Sequence, residues 1–184
     1  MTGRSLVKLM QGRVFRPLGL RHTHISALPP IPQPVLDAYV NVREVHEDST
    51  SWSPSWGLPK GLLMTSTVGD VIKSAKALRS GALVSPKASR ERIAPITVGL
   101  SPGFSDQLYY GLGVLVANGW LVQNPMQNGY TSIMAYEPSG RIAIALSVTE
   151  GEQAATTPTN YSERLLKELT EYLTPDKPAA LPNS

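Results

Sequence analysis

The chain has 184 residues, of which 41% are hydrophobic, and this suits one globular domain with a core large enough for cooperative folding. Its net charge of +3 comes from 17 basic and 14 acidic residues scattered along the chain, which argues against nucleic-acid binding. Cysteine is absent, so disulfides and thiolate metal sites are excluded and the compartment stays open. No apolar run reaches the ~18 residues of a membrane span and no signal-peptide core is present, so we expect a soluble protein.

Two helices and a long loop are predicted in the N-terminal half. Apolar residues at helical spacing predict a short helix over Ser5–Phe15, which Pro17 is expected to end. Many prolines, and charges without an apolar period, predict a loop over residues 26–59. The Thr67-x-x-Asp70 pattern predicts the capped start of a second helix, which ends at Gly81.

An antiparallel meander and a last helix are predicted in the C-terminal half. The strand-like runs YYGLGVLVA, GYTSIMAYE and RIAIALSVT lie between Tyr109 and Thr149, with turns at Asn118-Gly119, Asn128-Gly129 and Pro138-Ser139-Gly140. Asn160 is a predicted N-cap for a helix whose apolar stripe should pack on the sheet; the stripe comprises Leu165, Leu166, Leu169, Tyr172 and Leu173. The Pro-rich residues 174–184 are predicted to be disordered. The predicted fold class is α+β, with an antiparallel sheet meander packed by a C-terminal helix and a helical, loop-rich N-terminal half.

One serine motif resembles the nucleophile elbow of hydrolases. Gly99–Gly103 matches GxSxG, but Pro102 has no N–H with which to build the oxyanion hole. The elbow also needs a histidine after Ser101, whereas the histidines of this chain, His22, His24 and His46, all precede it. The pattern therefore favours a turn before a strand.

A second pair of motifs matches the SxxK and YxN patterns. Ser5 and Lys8 stand one helical turn apart, and Tyr39-Val40-Asn41 matches YxN. Patterns this short arise by chance in a chain of this size, and Ser5 lies so near the first residue that we expect little structure to bury it. An ordinary helix start and an ordinary loop tyrosine are the favoured interpretations.

Metal binding, glycosylation and an aromatic groove receive weaker support. His22-Thr23-His24 suits zinc, but only His46 could add a third nitrogen, so no cofactor is expected. Asn160-Tyr161-Ser162 is a glycosylation sequon, although capping is the better use of Asn160. Trp52 and Trp56 could line a ligand groove or pin a loop onto the core, and we favour pinning.

Four stretches of the chain, taken in order, carry a resemblance to a known family. They are TGRSLVKLMQGRVFRPLGLRHT, GLLMTSTVGDVIKSAKALRSGALVS, YYGLGVLV and GYTSIMAYEPSGRIAIALSVT. Their most specific pieces are Pro17-Leu18-Gly19-Leu20 with Thr23, Ser66-Thr67-x-x-Asp70, and Tyr110-Gly111-Leu112-Gly113. In these residues the chain resembles the beta-lactamase-related serine hydrolases, which include class C beta-lactamases, D-alanyl-D-alanine carboxypeptidases and esterase relatives. The resemblance implies one domain over residues 1–173 with a partial beta-lactamase/transpeptidase-like fold.

The family motifs place the expected site. In the family, SxxK and YxN lie upstream of the stretch that resembles residues 2–23, so the chain is expected to begin after them and no catalytic residue is assigned. The third motif, Lys or His followed by a small residue and Gly, falls on Gln123-Asn124-Pro125 when counted back from Gly129-Tyr130. Glutamine lacks the cation, and Pro125 replaces a glycine that lets substrate approach, although Asn-Pro also occurs in distant members. The resemblance implies that Gln123, Asn124, Pro125, Met126, Gly129 and Tyr130 line the substrate, with the Met126 N–H as an oxyanion donor.

The last strand run predicts an open edge. The run is apolar on both faces, as in a central strand, at Ile142, Ala143, Ile144, Ala145, Leu146 and Val148. The chain offers this strand only one sequential partner. In the family it pairs with a strand from the portion expected to be missing, so we predict an open edge that invites self-association. The predicted function is the C-terminal portion of a serine hydrolase that forms an acyl-serine with an ester, amide or peptide substrate when complete and is inactive alone. A non-catalytic binding or complementing module, or a gene remnant, stays open.

Overall fold

The fold is described by a computed structural model over residues 3–25, 31–42, 45–53, 64–139, 141–154 and 159–182. The helical segments are α1 (Leu6–Met10), a π-helical turn (Gln11–Phe15), α2 (Arg16–Leu18), α3 (Val68–Ser80), α4 (Pro86–Arg92) and α5 (Tyr161–Leu173). The strands are β1 (His24–Ile25), β2 (Tyr39–Val42), β3 (Val45–Asp48), β4 (Met64–Thr65), β5 (Leu108–Tyr110), β6 (Leu115–Ala117), β7 (Trp120–Gln123), β8 (Met126–Gln127), β9 (Tyr130–Glu137) and β10 (Ile142–Thr149). The predicted α+β class with an antiparallel meander is confirmed.

The main sheet has the strand order β10-β9-β7-β6-β5, and β8 pairs with β9 beyond the end of β7. Its tight turns follow from sequence: φ is 48° and 81° at Asn118 and Gly119, and 46° and 82° at Asn128 and Gly129. Two consecutive positive φ values define the type I′ turn that Asn-Gly favours between twisted strands. These two turns are therefore confirmed, whereas Gly140 of the third lies outside the described residues.

The run YYGLGVLVA was expected to form one strand, but it forms β5 and β6 with a turn between them. The Gly111 N–H donates to the Val114 carbonyl at 2.8 Å, and Gly113 has a φ of 70°. A Cβ on Gly111 would lie 2.1 Å from the Arg92 carbonyl oxygen, so only glycine fits against the end of α4. The two glycines turn the chain where an unbroken apolar run suggested extension.

Helices cover both faces of the sheet. On one face, Leu166 of α5 packs with Ile133 and Ile144 in a cluster that surrounds the fully buried Trp120. On the other face, Leu78 of α3 packs against a cluster of Val114, Val116 and Leu121. The strand β10 contacts both α3 and α5, which explains its two apolar faces. Among the described residues its only strand partner is β9, so β10 forms an edge.

Pro17 was predicted to end the first helix, but the helix continues through Pro17 to Leu18. The turn before it is π-helical, and the Arg16 N–H donates to the Gln11 carbonyl. A widened turn accommodates the proline, which lacks an N–H and whose ring would clash with the carbonyl one turn earlier. The helix ends instead at Gly19, whose φ is 65°.

The prediction of loop over residues 26–59 is wrong for residues 39–42 and 45–48. There β2 and β3 form a hairpin in which Asn41 pairs with His46, and Val40 is buried. The prolines lie on either side of this hairpin and not within its strands. The strands contain valines, whose β-branched side chains favour the extended conformation. Residues 26–30, 43–44 and 54–63 lie outside the described residues, so of the two tryptophans only the half-buried Trp52 can be placed.

Residues 174–184 were predicted to be disordered, but the described part of this C-terminal segment, residues 174–182, packs on the core. Ala179 and Leu181 are 3% and 6% exposed and belong to the cluster around Trp120. The indole N–H of Trp120 donates to the Lys177 carbonyl at 3.0 Å. Proline-rich composition suggested disorder, but two small apolar side chains and a satisfied indole hold the segment in place.

The helix α5 begins at its Asn160 cap, as predicted, but buries a different side. The Asn160 side chain accepts from the Glu163 N–H at 3.3 Å. The buried line is Ser162, Leu166 and Thr170. The rest of the predicted stripe is exposed, namely Leu165 at 39%, Leu169 at 37%, Tyr172 at 84% and Leu173 at 46%. The sequence did not indicate this buried face, because Ser162 and Thr170 are polar. They can be buried because the Ser162 hydroxyl donates to Asn160 and the Thr170 hydroxyl accepts from the Ala179 N–H.

A buried carboxylate joins the two stretches that carry the N-terminal part of the resemblance. Asp70 is 1% exposed and accepts from the His22 N–H at 2.7 Å and the Thr23 hydroxyl at 3.1 Å. The Lys73 ammonium lies 2.7 Å from Asp70 and also donates to the Gly19 carbonyl at 3.0 Å. Residues 19–23 are thereby fixed to the start of α3. Burial raises the pKa of Asp70, but the hydrogen bonds from Lys73, His22 and Thr23 outweigh it and hold the pKa below its usual value.

The packing of the C-terminal segment predicts the effect of truncating Leu181. We expect Leu181→Ala to lower the free energy of unfolding by about 2 to 3 kcal/mol, because it leaves a cavity beside the core cluster. Urea denaturation at one protein concentration measures the loss. The matched control Leu100→Ala removes a side chain that is 76% exposed and should change little. Equal small effects of both variants would show that residues 174–182 do not pack on the core.

The buried Asp70 predicts a pH-dependent contribution to stability. At about pH 7, Asp70→Asn should cost about 2 to 3 kcal/mol, because the charge-assisted hydrogen bonds are lost. The folded-state pKa lies below the ordinary 3.8, so the contribution is present above that pH and is lost as pH falls through the folded-state pKa. Denaturation of wild type and variant from about pH 7 to about pH 3 should show the difference shrink. The exposed Asp106→Asn is the control, and a pH-independent difference would contradict the assignment.

Candidate functional site

The six residues expected to line substrate lie along one hairpin. Gln123 ends β7, residues 124–125 cross to β8, and Gly129 turns the chain into β9 at Tyr130. The Gln123 side-chain amide donates to the Gly113 carbonyl. Gln123, which the resemblance aligns with the cation of the family motif, is thus bound to the neighbouring β5–β6 turn.

Asn124 is held by the start of α5. Its Nδ2 donates to Glu163 Oε1 at 2.6 Å, and its backbone carbonyl accepts from the Asn160 side chain at 3.0 Å. The Tyr110 hydroxyl reaches Asn124 Oδ1 at a long 3.5 Å. The side chain that was expected to offer a polar group to substrate is therefore hydrogen-bonded within the protein. It joins residues 123–130, which we call the candidate site wall, to the cap of α5.

Pro125 and Met126 form the exposed part of this wall. Pro125 has no N–H, but its carbonyl accepts from the Ser132 N–H at 3.0 Å, so it lies directly before β8 at a position where proline is tolerated. Met126 pairs with Thr131, and its side chain is 40% exposed. An exposed, flexible thioether side chain suits contact with an apolar ligand group.

The β2–β3 hairpin clamps the turn at Gly129. A Cβ on Gly129 would lie 2.1 Å from the Tyr39 carbonyl oxygen. The Ser49 hydroxyl donates to the Asn128 carbonyl at 2.7 Å, and the Tyr130 hydroxyl donates to the Leu36 carbonyl at 2.7 Å. Burial raises the pKa of Tyr130, which keeps its phenol protonated as a donor. Sequence reasoning missed this clamp, although the Asn-Gly turn marked its position.

The residues of the YxN match, Tyr39 and Asn41, belong to the β2–β3 hairpin that contacts the Gly129 turn. Tyr39 stacks on His46 with ring centroids 4.9 Å apart, and His46 Nδ1 lies 2.9 Å from Asn41 Oδ1. The Asn41 Nδ2 donates to the Gly151 carbonyl at 2.8 Å, which fixes the amide so that Oδ1 faces the imidazole. Because the Asn41 Oδ1 can only accept, His46 Nδ1 is the donor of this hydrogen bond.

The other sequence motifs have ordinary local roles. Ser5 is exposed, and its hydroxyl accepts from the Lys8 N–H at 3.4 Å as the cap of α1. Ser101 is exposed in a turn closed by the Phe104 N–H at 2.9 Å, before β5. Among the described residues no three His, Cys, Asp or Glu side chains gather to hold a metal ion. Within those residues no helix is long and apolar enough to cross a membrane.

Comparison with known families identifies the lineage. The beta-lactamase family model matches residues 1–167. The chain therefore belongs to the beta-lactamase family, which confirms the predicted relation to serine hydrolases. No curated protein matches it significantly.

Solved structures show the same fold. A D-stereospecific amidohydrolase from Streptomyces sp. is 26% identical with a TM-score of 0.69, over 80% of this chain and 45% of that chain. A D-amino acid amidase from Ochrobactrum anthropi SV3 is 26% identical with a TM-score of 0.65, over 83% of this chain and 47% of its own. An octameric penicillin-binding protein homologue from Pyrococcus abyssi is 18% identical with a TM-score of 0.64, over 90% of this chain and 38% of its own. The chain thus spans less than half the length of these structures.

The clamp at Gly129 predicts a large effect of a single methyl group. We expect Gly129→Ala to lower the free energy of unfolding by at least about 2 kcal/mol, because φ is 82° and the Cβ would meet the Tyr39 carbonyl. Chemical denaturation measures the loss. Gly103→Ala is the matched control, since nothing lies within 4 Å of its Cβ position and it should stay within about 0.5 kcal/mol of wild type. Similar small losses in both variants would contradict the clamp.

Proposed function

We propose that this chain forms the C-terminal part of a serine hydrolase and supplies one wall of its acyl site. The observation that carries the proposal is the family match over residues 1–167. The wall, residues 123–130, is supported from two sides, by the cap of α5 at Asn124 and by the β2–β3 hairpin at Gly129. A wall fixed in this way suits a site that must position a carbonyl before attack.

The substrate class proposed is an amide or ester without a free carboxylate at this wall. The similar solved structures include a D-stereospecific amidohydrolase and a D-amino acid amidase, whose names refer to amide substrates. Gln123 is neutral and bound to Gly113, so the wall offers no cation at that position to a substrate carboxylate. Its contribution would be the Met126 backbone N–H, which acts as a hydrogen-bond donor to the developing oxyanion.

The attacking serine and its base are proposed to come from a segment outside this sequence. An acyl-serine forms when a base takes the serine proton, the oxygen attacks the carbonyl carbon, and the amine or alcohol leaves with that proton. Water then hydrolyses the acyl-serine to give the acid and the free serine. Ser5 caps a helix and Ser101 lies in an exposed turn, so neither has the buried, base-paired setting that this reaction needs. The chain alone is therefore expected to be inactive. We also propose that it associates with itself through the edge of β10.

The purified chain tests the proposal directly. We expect no fluorophosphonate labelling by intact-mass analysis, and turnover of a chromogenic p-nitrophenyl ester equal to that of the denatured chain, since the proposal places the activated serine outside this sequence. Ser5→Ala and Ser101→Ala serve as controls and should match wild type in both assays. A covalent adduct mapped to either serine, or turnover that one of these substitutions abolishes, would overturn the proposal.

A further inference from the structure

Most of the positive charge of the chain lies in its helical part, residues 3–25 and 64–92, which contains α1 to α4. These residues include eleven lysine and arginine residues and two acidic residues, whereas the rest of the chain has six basic and twelve acidic residues. The bases look scattered in the sequence because residues 26–63 separate the two stretches. Folding brings the stretches together, since Asp70 of α3 accepts hydrogen bonds from His22 and Thr23.

Ten of the eleven basic side chains in this helical part are exposed. We call them the basic surface, and they are Arg4, Lys8, Arg13, Arg16, Arg21, Lys73, Lys76, Arg79, Lys87 and Arg90. Of the two carboxylates in the same residues, Asp70 is buried against Lys73, and Glu91 is exposed at 3.7 Å from Lys87. Two carboxylates leave most of these cations without a counter-charge in the helical part.

Hydrogen bonds hold the helices that carry the basic surface together. The Lys73 ammonium donates to the Gly19 carbonyl at 3.0 Å and so joins α3 to the end of α2. The Arg92 guanidinium donates to the Leu78 carbonyl and so joins the end of α4 to α3. The bases of the four helices therefore belong to one packed unit.

Aliphatic side chains are exposed among these bases. Leu6 of α1 is 44% exposed, and Leu83 and Val84, which link α3 to α4, are each 42% exposed. Phe15 is the single Phe, Tyr or Trp of the helical part, and it is buried. Proteins that bind single-stranded nucleic acid use exposed aromatic rings to stack on bases, which this surface lacks. Aliphatic groups beside cations suit the boundary between the head groups and the acyl chains of a lipid bilayer.

We propose that the basic surface binds anionic phospholipid head groups and holds the chain at the face of a membrane. The negative potential of such a membrane attracts Lys and Arg side chains that come within a Debye length, about 8 to 10 Å at 0.1 to 0.15 M salt. The rest of the chain has an excess of acidic residues and is repelled. This separation of charge turns the helical part towards the membrane. The proposal is independent of the acyl site, because the candidate site wall contains none of these bases.

Another folded protein segment is a poor cover for the basic surface. Lysine and arginine are almost never fully buried unless they are paired, because removing a cation from water carries a large desolvation cost. Lipid phosphates supply the opposite charge and leave the ammonium and guanidinium groups in contact with water. The exposed bases therefore favour a hydrated anionic surface over a packed protein interface.

Vesicle flotation of the unmodified chain tests the proposal. We expect vesicles of phosphatidylglycerol and phosphatidylcholine to bind the chain at least about 10-fold more tightly than phosphatidylcholine alone at about 0.1 M salt. At about 1 M salt, where the Debye length falls to about 3 Å, this difference should disappear. Lys76→Glu/Arg79→Glu on α3 should weaken binding to the anionic vesicles at least about 10-fold, because it replaces two attracted charges by two repelled ones.

The matched control, Arg164→Glu/Lys167→Glu on α5, changes the net charge equally but lies outside the basic surface. It should bind within about 3-fold of wild type. Lys87→Glu/Arg90→Glu on α4 repeats the test at a second place, and circular dichroism checks that each variant is folded. Equal losses in the control and in the α3 variant overturn the proposal, because overall charge would then explain the binding. Absence of binding to anionic vesicles, or equally tight binding to a double-stranded DNA oligonucleotide, also overturns it.

Discussion

The pairing of β9 with its neighbours is the constraint on which the rest of the structure depends. This strand pairs with β10 on one side and with β7 and β8 on the other, and it contacts α3 and α5. Its first residue, Tyr130, belongs to the candidate site wall, and its last, Glu137, is 1% exposed with the Lys177 ammonium 3.2 Å away. A shift of one residue along β9 would move every side chain to the opposite face. The register of one strand therefore sets the wall, both helix contacts and the C-terminal segment together.

Features governed by neighbouring residues could be predicted from the sequence. The Asn-Gly turns, the Thr67 and Asn160 caps and the Gly81 helix end all depend on local backbone geometry. The β2–β3 clamp could not be predicted, because Ser49 and Asn128 are 79 positions apart. The packing of Leu181 and the buried side of α5 depended likewise on partners that only the folded chain brings together. The position of the site wall came from resemblance, and its supports came from the structure.

The departures from the family motif have structural consequences that follow from their contacts. Asn124 joins Glu163 and Asn160 at the start of α5, and Gln123 joins Gly113 across the β5–β6 turn. Polar side chains engaged in this way have little freedom to rotate towards a ligand, because each lost hydrogen bond would leave a half-buried group unsatisfied. Under the proposed function, recognition at this wall would therefore depend on the backbone and on the exposed Met126 side chain. A glutamine and a proline are compatible with that arrangement, since neither has to supply charge.

The edge strand β10 and the candidate site wall belong to the same strand pair. Thr149 at the end of β10 lies opposite Tyr130 at the start of β9, and the Glu150 carboxylate accepts from the Asn41 N–H at 3.1 Å. Asn41 in turn orients His46, on which Tyr39 stacks beside the Gly129 turn. The residues directly after β10 therefore help to hold the β2–β3 hairpin in place. Because this hairpin lies against the Gly129 turn, β10 is joined to the candidate site wall both through its pairing with β9 and through the hairpin.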